Sequence, residues 1–340
     1  MSSLPASGPL PSPEHFFETI TSYQRTEALR AAIQLEIFTA VAEGKQTAQE
    51  IAGRCKASER GTRILCDYLV IIGFLTKNAN QYDLTRDSAV FLDRRSPGYI
   101  GGTIRFLLSP MATEGFEDLA EAVREGGTVR EQHSLAPEHP MWVDFARGMA
   151  PLMAMPAELL AKLLNADEGH KWKVLSLAVG HGLFGVTLAR HNRNAEIWAV
   201  DWANVLEVAR ENAIAAGIAD RYHTIAGSAF DVEYGDGYDL ALITNFLHHF
   251  DPPTNEELLR KVYPALKPGG RAVILEFVPN SDRVSPPMPA AFSLTMLAGT
   301  PSGDAYTFAE FQQMLRNAGF RSSELYALPP TFFNVVIGHK

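Results

Sequence analysis

A glycine-rich turn is followed at a defined distance by an acidic residue. The segment VLSLAVGHGLFG runs from Val174 to Gly185 and includes Gly180 and Gly182, and Asp201 closes the next apolar segment 19 positions after Gly182. Glycines allow a strand to turn tightly into a helix whose N-terminal amides face a ligand. An acidic residue about 20 positions later can bind the two hydroxyls of a ribose. The spacing indicates a nucleoside-bearing cofactor, with a purely structural glycine turn as the alternative.

Length and composition restrict the class of protein that carries this turn. The chain has 340 residues, 46% of them hydrophobic, a formal net charge of −9 and two cysteines. An acidic chain lacks the basic face that nucleic-acid binding requires, and two cysteines make a disulfide framework or a cysteine zinc site improbable. We find no HExxH motif, and no apolar stretch reaches the roughly 18 residues of a membrane span. We therefore expect a cytoplasmic enzyme with no metal, nucleic-acid or membrane partner.

The chain divides into four predicted regions. Residues 1–14 form a proline-rich tail, and residues 15–100 resemble a winged helix, with two initial helices, capping boxes or caps at Thr47 and Ser58, and a hairpin after Gly73. Residues 101–165 form a helical connector and pocket wall, and residues 166–340 form the cofactor domain. The helix after Ser58 balances two arginines against two acids, which makes it a poor phosphate-binding surface. Its many large apolar side chains instead predict a homodimer interface.

Apolar strand patterns and helical patterns alternate from Val174 onward. The alternation predicts an α/β fold with a doubly wound, seven-stranded, Rossmann-like sheet. A capping box at Thr307 and Glu310 begins the last helix, and SSELYAL and FFNVVIGH follow as two strands. Two consecutive strands at the end predict an antiparallel edge, unlike a dinucleotide fold made of two repeated halves.

These motifs together resemble the class I S-adenosylmethionine-dependent methyltransferases. Within that class the chain is similar to the small-molecule O-methyltransferases that carry an N-terminal winged-helix dimerisation domain, over nearly its whole length from about residue 15. The most specific motifs are the glycine turn with Asp201, GSAF from Gly227, NFLHHF from Asn245, LKPGG from Leu266, and RAVILEF. LKPGG alone would be only a turn between a helix and a strand.

The resemblance implies S-adenosyl-L-methionine as the cofactor and assigns its binding residues. Gly180 and Gly182 would lie beneath the methionine part, Asp201 would bind the ribose, and Trp202 would lie against the adenine or belong to the core. The remaining implied cofactor residues are Gly227, Ser228, Ala229, Phe230 and Asn245. Relatives often carry Asp at Ser228 and Asp, Gly and Gly at Ser176, Ala178 and Val179.

The resemblance also implies the catalytic residues. His248 aligns with a histidine that acts as general base, and Glu276 aligns with a carboxylate that orients the base or the substrate. A free imidazole has a pKa near 6.5 and can take the proton of a phenol, whose pKa is near 10, during attack. A structural role of His248 at the end of its strand is the alternative. The family's second carboxylate falls at Ala305, beside Asp304.

Apolar side chains on two helical segments are predicted to line the substrate pocket, and they suit a flat aromatic or polyketide-like molecule. They are Phe145, Met149, Met153, Phe292, Met296 and Leu297. Arg147 lies one turn away and could pair with the cofactor carboxylate or form a surface salt bridge.

Several functions remain open at this stage. The leading hypothesis is methyl transfer to a hydroxyl of a small aromatic or polyketide-like metabolite. Methylation of carbon, or cofactor-dependent chemistry without methyl transfer, would use the same fold. A nicotinamide-dependent oxidoreductase shares the glycine turn and Asp201 but does not need NFLHHF. A ligand-sensing winged-helix protein is disfavoured by its neutral helix.

Overall fold

The computed structural model describes residues 11–130 and 141–340, which divide into two compact units. One unit extends to Ile104 and the other comprises Arg105–Lys340. The predicted tail at residues 1–14 falls mostly on residues 1–10, which lie outside the described part, and Glu14 already begins the first helix. Among the described helices, none combines the length and the apolar composition needed to cross a membrane.

From residue 11 onward, the N-terminal unit contains six helices and a two-stranded hairpin. The elements are α1 (Glu14–Ile20), α2 (Tyr23–Gln34), α3 (Ile37–Ala42), α4 (Ala48–Cys55), α5 (Glu59–Ile71), β1 (Leu75–Asn78), β2 (Gln81–Leu84) and α6 (Arg86–Phe91). The prediction of two helices before residue 43 was wrong because three are present. Glu36 adopts a left-handed conformation with φ 58°, which interrupts the helical path between α2 and α3.

Local capping signals of this unit are confirmed. Thr47 and Glu50 form a capping box at the start of α4, and the Ser58 side chain accepts a hydrogen bond from the Gly61 amide at the start of α5. Strands β1 and β2 pair antiparallel, with Leu75 opposite Leu84. Together these elements give the predicted winged-helix arrangement.

The second unit contains nine helices and seven strands within the described residues. The helices are α7 (Ile104–Leu107, at the boundary), α8 (Pro110–Thr113), α9 (Leu119–Glu125), α10 (Met141–Leu163), α11 (Leu183–His191), α12 (Ala203–Ala215), α13 (Pro252–Ala265), α14 (Pro287–Gly299) and α15 (Phe308–Asn317). The strands are β3 (Lys173–Leu177), β4 (Glu196–Asp201), β5 (Tyr222–Ala226), β6 (Tyr238–Thr244), β7 (Leu266–Glu276), β8 (Ser322–Ala327) and β9 (Asn334–His339).

The seven strands form one sheet in the order β5-β4-β3-β6-β7-β9-β8. Strands β3 to β7 pair parallel, and β9 pairs antiparallel with both β7 and β8. The predicted doubly wound α/β sheet with an antiparallel edge is confirmed. All parallel strands end at one edge of the sheet, so Asp201, Asn245 and Glu276 come from neighbouring positions along that edge.

Alternate residues of the central strands enter two different hydrophobic cores. On β3, Val174 packs in the core with residues of α10, α11 and α12, whereas Leu175 packs in the core with residues of α13 and α15. Both are fully buried. A sheet covered by helices on both faces holds its strand ends rigidly, which suits a site built at the carboxyl edge.

The LKPGG segment differs from its prediction as a simple turn. Leu266 directly follows α13 and already lies opposite Tyr238 as the first residue of β7. The pairing of β6 and β7 then shifts in register before Leu240 meets Arg271. The proline and glycines therefore form an irregular start of the strand, where a register shift accommodates them.

Candidate active site

The glycine turn links β3 to α11 through residues with positive φ. Ala178 has φ 48°, Gly180 φ 54° and Gly182 φ 72°. A Cβ on Gly182 would lie 2.6 Å from the Tyr222 hydroxyl oxygen and 2.8 Å from the Ala209 Cβ, so only glycine fits there. A Cβ on Gly180 would meet nothing within 4 Å, so the turn faces open space at that position.

Asp201 joins the end of β4 to the glycine turn. Its carboxylate accepts hydrogen bonds from the Gly180 amide at 2.8 Å and from the Trp202 amide at 2.7 Å. Its carbonyl oxygen accepts from the Gly227 amide at 2.9 Å. Burial raises the pKa of Asp201 to about 6, against the lowering effect of the two amides. The carboxylate is therefore held in place and is ionised at neutral pH.

The predicted adenine-side residues follow β4 and β5. Trp202 is half-buried and packs with Ala146, Val205 and Val208. Gly227 has φ 137°, and a Cβ there would lie 2.6 Å from Val232 Cγ1, so this position also requires glycine. Its tight turn brings the following three residues next to the end of β4.

Each of those three residues has a distinct environment. The Ser228 hydroxyl oxygen accepts from the Phe230 amide at 3.1 Å, and Ala229 is buried. The Phe230 ring lies 5.1 Å from the Phe250 ring, centroid to centroid. The Ser228 oxygen keeps a second lone pair, which is available to an amine.

His248 and Glu276 form a buried hydrogen-bonded pair. His248 lies in a 3-10 turn, Leu247–His249, after β6, and Glu276 ends the adjacent strand β7. The distance from His248 Nδ1 to Glu276 Oε2 is 2.6 Å, and the two residues are 6% and 1% exposed. Glu276 Oε1 also accepts from the amides of Phe246 at 2.9 Å and His248 at 3.3 Å. The carboxylate fixes both the ring and its backbone.

This pair selects one tautomer of the His248 ring. An ionised carboxylate can only accept, so Nδ1 must carry the proton that Glu276 binds. Nε2 then has a free lone pair and can take a proton from another molecule. The resemblance implies a base at His248 and, at Glu276, a carboxylate that orients the base or the substrate; the structure joins these two side chains by a hydrogen bond.

Two further residues hold the His248 turn. The sequence analysis missed Asn255 and named Asp304 only as the neighbour of the family's second carboxylate position. The Asn255 side-chain amide donates to the carbonyl oxygens of Leu247 at 2.9 Å and Phe250 at 3.2 Å, and Asn255 is fully buried. The Asp304 amide donates to the His248 carbonyl oxygen at 3.0 Å. A signal for Asn255 exists, since it shares the spacing of the buried Leu258, Leu259 and Val262 and is a polar residue on an apolar helix face.

The second family carboxylate has no substitute at Asp304. Its carboxylate binds the Arg283 guanidinium at 3.1 Å and the Ala305 amide at 2.8 Å, and Ala305 is fully buried. Within the described residues, Glu276 is the one acidic side chain bonded to the His248 ring. The ring instead lies beside Phe292, with centroids 4.9 Å apart.

Two of the predicted pocket residues, Phe292 and Met153, contact residues at the ends of the strands. Phe292 contacts His248 and stacks on Phe277 at 3.8 Å. Met153 is buried, and its sulfur lies 3.6 Å from Asn245 Nδ2. Asn245 itself has φ 52°, and its Oδ1 is buried without a hydrogen-bond partner among the described residues. These contacts bring both Met153 and Phe292 to the carboxyl edge of the sheet.

The other predicted pocket residues have neighbours of their own. Phe145 packs against the rings of Phe106 and Trp142 at 4.9 and 5.7 Å. Met149 packs on the same core cluster as Met153, whereas Met296 is buried and Leu297 half-buried on α14. Arg147 forms an exposed ion pair with Glu211 at 2.9 Å, so the surface salt bridge is the alternative that the structure favours.

Metal binding has no visible basis in this site. Within residues 11–130 and 141–340, no three His, Cys, Asp or Glu side chains are grouped so that they could hold an ion. His248 is already committed to Glu276 through Nδ1. The groups that the described residues bring to this site are a histidine, hydrogen-bond acceptors and aromatic rings.

The fold is a doubly wound α/β sheet with the buried His248–Glu276 pair at its carboxyl edge, and comparison with known proteins specifies the family. A family model described as the O-methyltransferase domain matches residues 145–321, and one described as the O-methyltransferase dimerisation domain matches residues 17–94. The chain belongs to this O-methyltransferase family, and the predicted N-terminal dimerisation domain is confirmed.

Individual relatives support the same assignment. A protein from Nostoc punctiforme PCC 73102, solved as a candidate O-methyltransferase, is 56% identical with a TM-score of 0.93, covering 98% of this chain and 100% of that one. The 3-hydroxy-5-methyl-1-naphthoate 3-O-methyltransferase of Streptomyces sahachiroi is 28% identical over 88% of this chain and 87% of its own. Human N-acetylserotonin methyltransferase, solved with S-adenosylmethionine, is 21% identical with a TM-score of 0.80, covering 98% and 99% of the two chains, and shows the fold alone.

Proposed function

We propose that this protein transfers a methyl group from S-adenosylmethionine to a hydroxyl of a small aromatic metabolite, with His248 as general base. The observation that carries the proposal is the 2.6 Å hydrogen bond between His248 Nδ1 and Glu276 Oε2. It leaves Nε2 free to accept a proton at the carboxyl edge of the sheet. The activity of the naphthoate methyltransferase supports a flat, hydroxylated acceptor.

The cofactor fits residues at three strand ends. Asp201 offers two oriented oxygens to the ribose hydroxyls, and the open side of Gly180 leaves room for the neighbouring atoms. Asn245 Oδ1 is a buried acceptor without a partner in the described part of the chain, which suits an ammonium donor. Trp202 presents an apolar face for the adenine. When bound, the cofactor supplies an electrophilic methyl group on a sulfonium.

The residues of the chain then perform the proton transfer. His248 Nε2 accepts the acceptor's hydroxyl proton as its oxygen forms the bond to the methyl carbon. The bound cofactor would supply the methyl group and would keep the electron pair of the carbon–sulfur bond as a neutral thioether. Glu276 stabilises the imidazolium that forms, as a buried carboxylate partner should. Phe292 limits the orientation of the acceptor, and correct alignment supplies much of the acceleration.

A panel of phenols with labelled S-adenosylmethionine tests this function. We expect His248→Ala to lower turnover by about 10²- to 10⁴-fold, with the affinity for S-adenosylhomocysteine nearly unchanged. Glu276→Gln should lower turnover less than His248→Ala does, because Glu276 orients the base and does not take the proton. His170→Ala is the matched control, since His170 is exposed and pairs with Glu168. Full activity of His248→Ala would exclude the base role.

Product analysis separates the competing chemistries. A methyl group found on a ring carbon would indicate carbon methylation, and cofactor binding with no methylated product would favour chemistry without methyl transfer.

We also propose that residues 15–100 form a homodimer and that residues 101–165 connect this region to the cofactor domain, residues 166–340, and contribute a pocket wall. The match to the dimerisation domain supports the homodimer.

A further inference from the structure

A cavity of about 350 Å³ lies at the amino edge of the sheet, whereas His248 lies at the carboxyl edge. Its walls include four charged side chains: Lys171 before β3, Asp239 on β6, and Lys267 and Arg271 on β7. The volume is in the range of small-ligand sites, roughly 300 to 1,000 Å³. The proposed methyl transfer uses none of these four side chains, so it does not account for the cavity.

Arg271 is the half-buried cation of this cavity. In the part of the chain that the structure describes, its guanidinium forms no hydrogen bond and no ion pair. Burial lowers the pKa of Arg271, against the raising effect of Asp239, Tyr326 and Glu324. An arginine stays charged in a protein, so folding removes water from this cation without giving it a counterion. An anion in the cavity would supply the missing partner.

The two acids that act on this guanidinium from a distance bind other donors. The Asp239 carboxylate accepts a hydrogen bond from the Lys173 amide at 2.8 Å and pairs with the Lys267 ammonium. The Glu324 carboxylate accepts from the hydroxyl of the tyrosine two positions later at 2.6 Å. Because neither acid pairs with Arg271, the N–H groups of its guanidinium remain available to a ligand that enters the cavity.

The charges around the cavity favour an anion with two negative charges. Lys171, Lys267 and Arg271 are positive, and Asp239 is the one acid among the described residues that line the cavity, which leaves an excess of two positive charges. A phosphate monoester carries about −1.5 to −2 charges at neutral pH, whereas a carboxylate carries one. The planar guanidinium can also donate two parallel hydrogen bonds to phosphate oxygens, and a lysine binds phosphate as a point charge.

We propose that this cavity binds the phosphate group of a small-molecule phosphate monoester, with Arg271 as the bidentate donor and Lys171 and Lys267 as flanking charges. The volume leaves room for the organic part of the ester beside its phosphate group. The inference does not rest on the proposed function, because the ligand meets no residue of the methyl-transfer mechanism.

Calorimetric titration of the full-length protein in a phosphate-free buffer tests the proposed site. The probes are glycerol 3-phosphate and inorganic phosphate, with glycerol as the uncharged control. We expect the wild-type protein to bind the ester at least as tightly as the inorganic ion and to show no binding of glycerol. Arg271→Gln should weaken the binding of both anions about tenfold or more, as the loss of hydrogen bonds to a charged group predicts.

Two further variants separate this site from a general effect of charge. Lys171→Gln removes one exposed flanking charge and should weaken ester binding by at most about fivefold. Arg316→Gln is the matched control for Arg271→Gln, because Arg316 is exposed on α15 and binds the side-chain oxygen of Gln313 at 2.8 Å. This control changes the net charge equally and should leave the affinity for the ester unchanged.

Thermal unfolding distinguishes a ligand site from a structural role of Arg271. Without phosphate, Arg271→Gln should be as stable as the wild type or more stable, because it removes a half-buried charge that has no partner among the described residues. An excess of glycerol 3-phosphate should raise the Tm of the wild type and leave that of Arg271→Gln unchanged, since a ligand stabilises only the state that binds it.

Several results would overturn the inference. They are a wild-type protein that binds neither anion, a wild type that binds inorganic phosphate but not the ester, and an Arg271→Gln variant that binds the ester as tightly as the wild type. If Arg271→Gln fails to fold by circular dichroism, Arg271→Lys decides by the same affinity criterion, because it keeps the charge and loses the two parallel hydrogen bonds.

Discussion

The amide of Asp304 donates a hydrogen bond to the carbonyl oxygen of His248 at 3.0 Å. The preceding residue, Gly303, lies so close that a Cβ on it would be 2.3 Å from the same oxygen and 3.0 Å from the His249 carbonyl carbon. Thr300 fixes this loop in turn, because its hydroxyl oxygen accepts from the Gly303 amide at 2.8 Å. The loop after α14 therefore rests directly on the backbone of the proposed base.

We predict that Gly303→Ala lowers methyl transfer by about tenfold or more while leaving cofactor affinity intact. Backbone atoms cannot move aside as a flexible side chain can, so the added methyl must displace the His248 turn, and small displacements of a catalytic group are costly. Gly299→Ala is the matched control, since a Cβ there meets nothing within 4 Å. Steady-state rates and a titration with S-adenosylhomocysteine measure both effects. Equal rates for the two variants would show that the loop does not position His248.

Asp201 predicts a pH dependence of cofactor binding. Its pKa in the free protein is about 6, above the ordinary carboxyl value, because burial disfavours the charged form. The ionised form accepts hydrogen bonds from both ribose hydroxyls, so affinity should be complete above pH 7 and fall as the pH drops through 6. We expect about a fourfold loss of affinity for S-adenosylhomocysteine between pH 7.5 and 5.5 by proton linkage.

The Asp201→Asn variant separates this group from other titrating side chains. It should bind S-adenosylhomocysteine more weakly at pH 7.5, by roughly 1.5 to 3 kcal/mol, the range for a hydrogen bond to a charged group. Its affinity should no longer change between pH 7.5 and 5.5. Calorimetry at both pH values checks this, and a pH dependence that persists in Asp201→Asn would assign it to another residue.

Most of the fold could be predicted from sequence because its signals are local. Alternating apolar segments indicated the parallel strands, and the capping boxes at Thr47 and Thr307 marked helix starts that the structure confirms. Glu36 shows the limit of such signals. Nothing in its residue type indicates a left-handed conformation, and the sequence analysis predicted one helix too few before residue 43.

Contacts between distant segments of the site were harder to predict. The pairing of His248 with Glu276 could be expected since both follow adjacent strands and both match family positions. Asn255 and Asp304 hold the His248 turn through hydrogen bonds to its backbone carbonyl oxygens. Every residue has a backbone carbonyl, so the sequence gives no signal that shows which one is bound. The cavity beside Arg271 likewise depends on packing that only coordinates reveal.

We predict that removal of the Tyr222 hydroxyl, which lies beside the glycine turn, does not destabilise the protein. This hydroxyl is buried and has no partner within the described residues, and burial raises its pKa well above the ordinary value. The Tyr222 hydroxyl loses its hydrogen bonds to water on folding and gains none from the described residues. Tyr222→Phe removes this hydroxyl, so we expect the free energy of unfolding to stay equal or to rise by about 1 kcal/mol. Urea denaturation measures the change.

Tyr238→Phe is the contrasting control for this experiment. Tyr238 is also buried, but its hydroxyl donates to the Tyr234 carbonyl oxygen at 2.6 Å. Its removal leaves that buried carbonyl without its partner and should lower the free energy of unfolding by about 1 kcal/mol. Equal losses in the two variants would mean that Tyr222 has a partner in solution.

The N-terminal unit exposes apolar side chains on its first two helices, and these predict the surface of the proposed homodimer. Phe16 and Tyr23 are each 61% exposed and Ile20 is 50% exposed. A surface of this kind is costly in water, and a second copy can cover it. We expect Ile20→Glu with Tyr23→Glu to convert the protein to a monomer in light scattering at micromolar concentration, because both charges would be desolvated in the interface. Glu18→Gln, on the same exposed helix, should leave the mass unchanged. A dimer that persists in the double variant would place its interface on other residues of the chain.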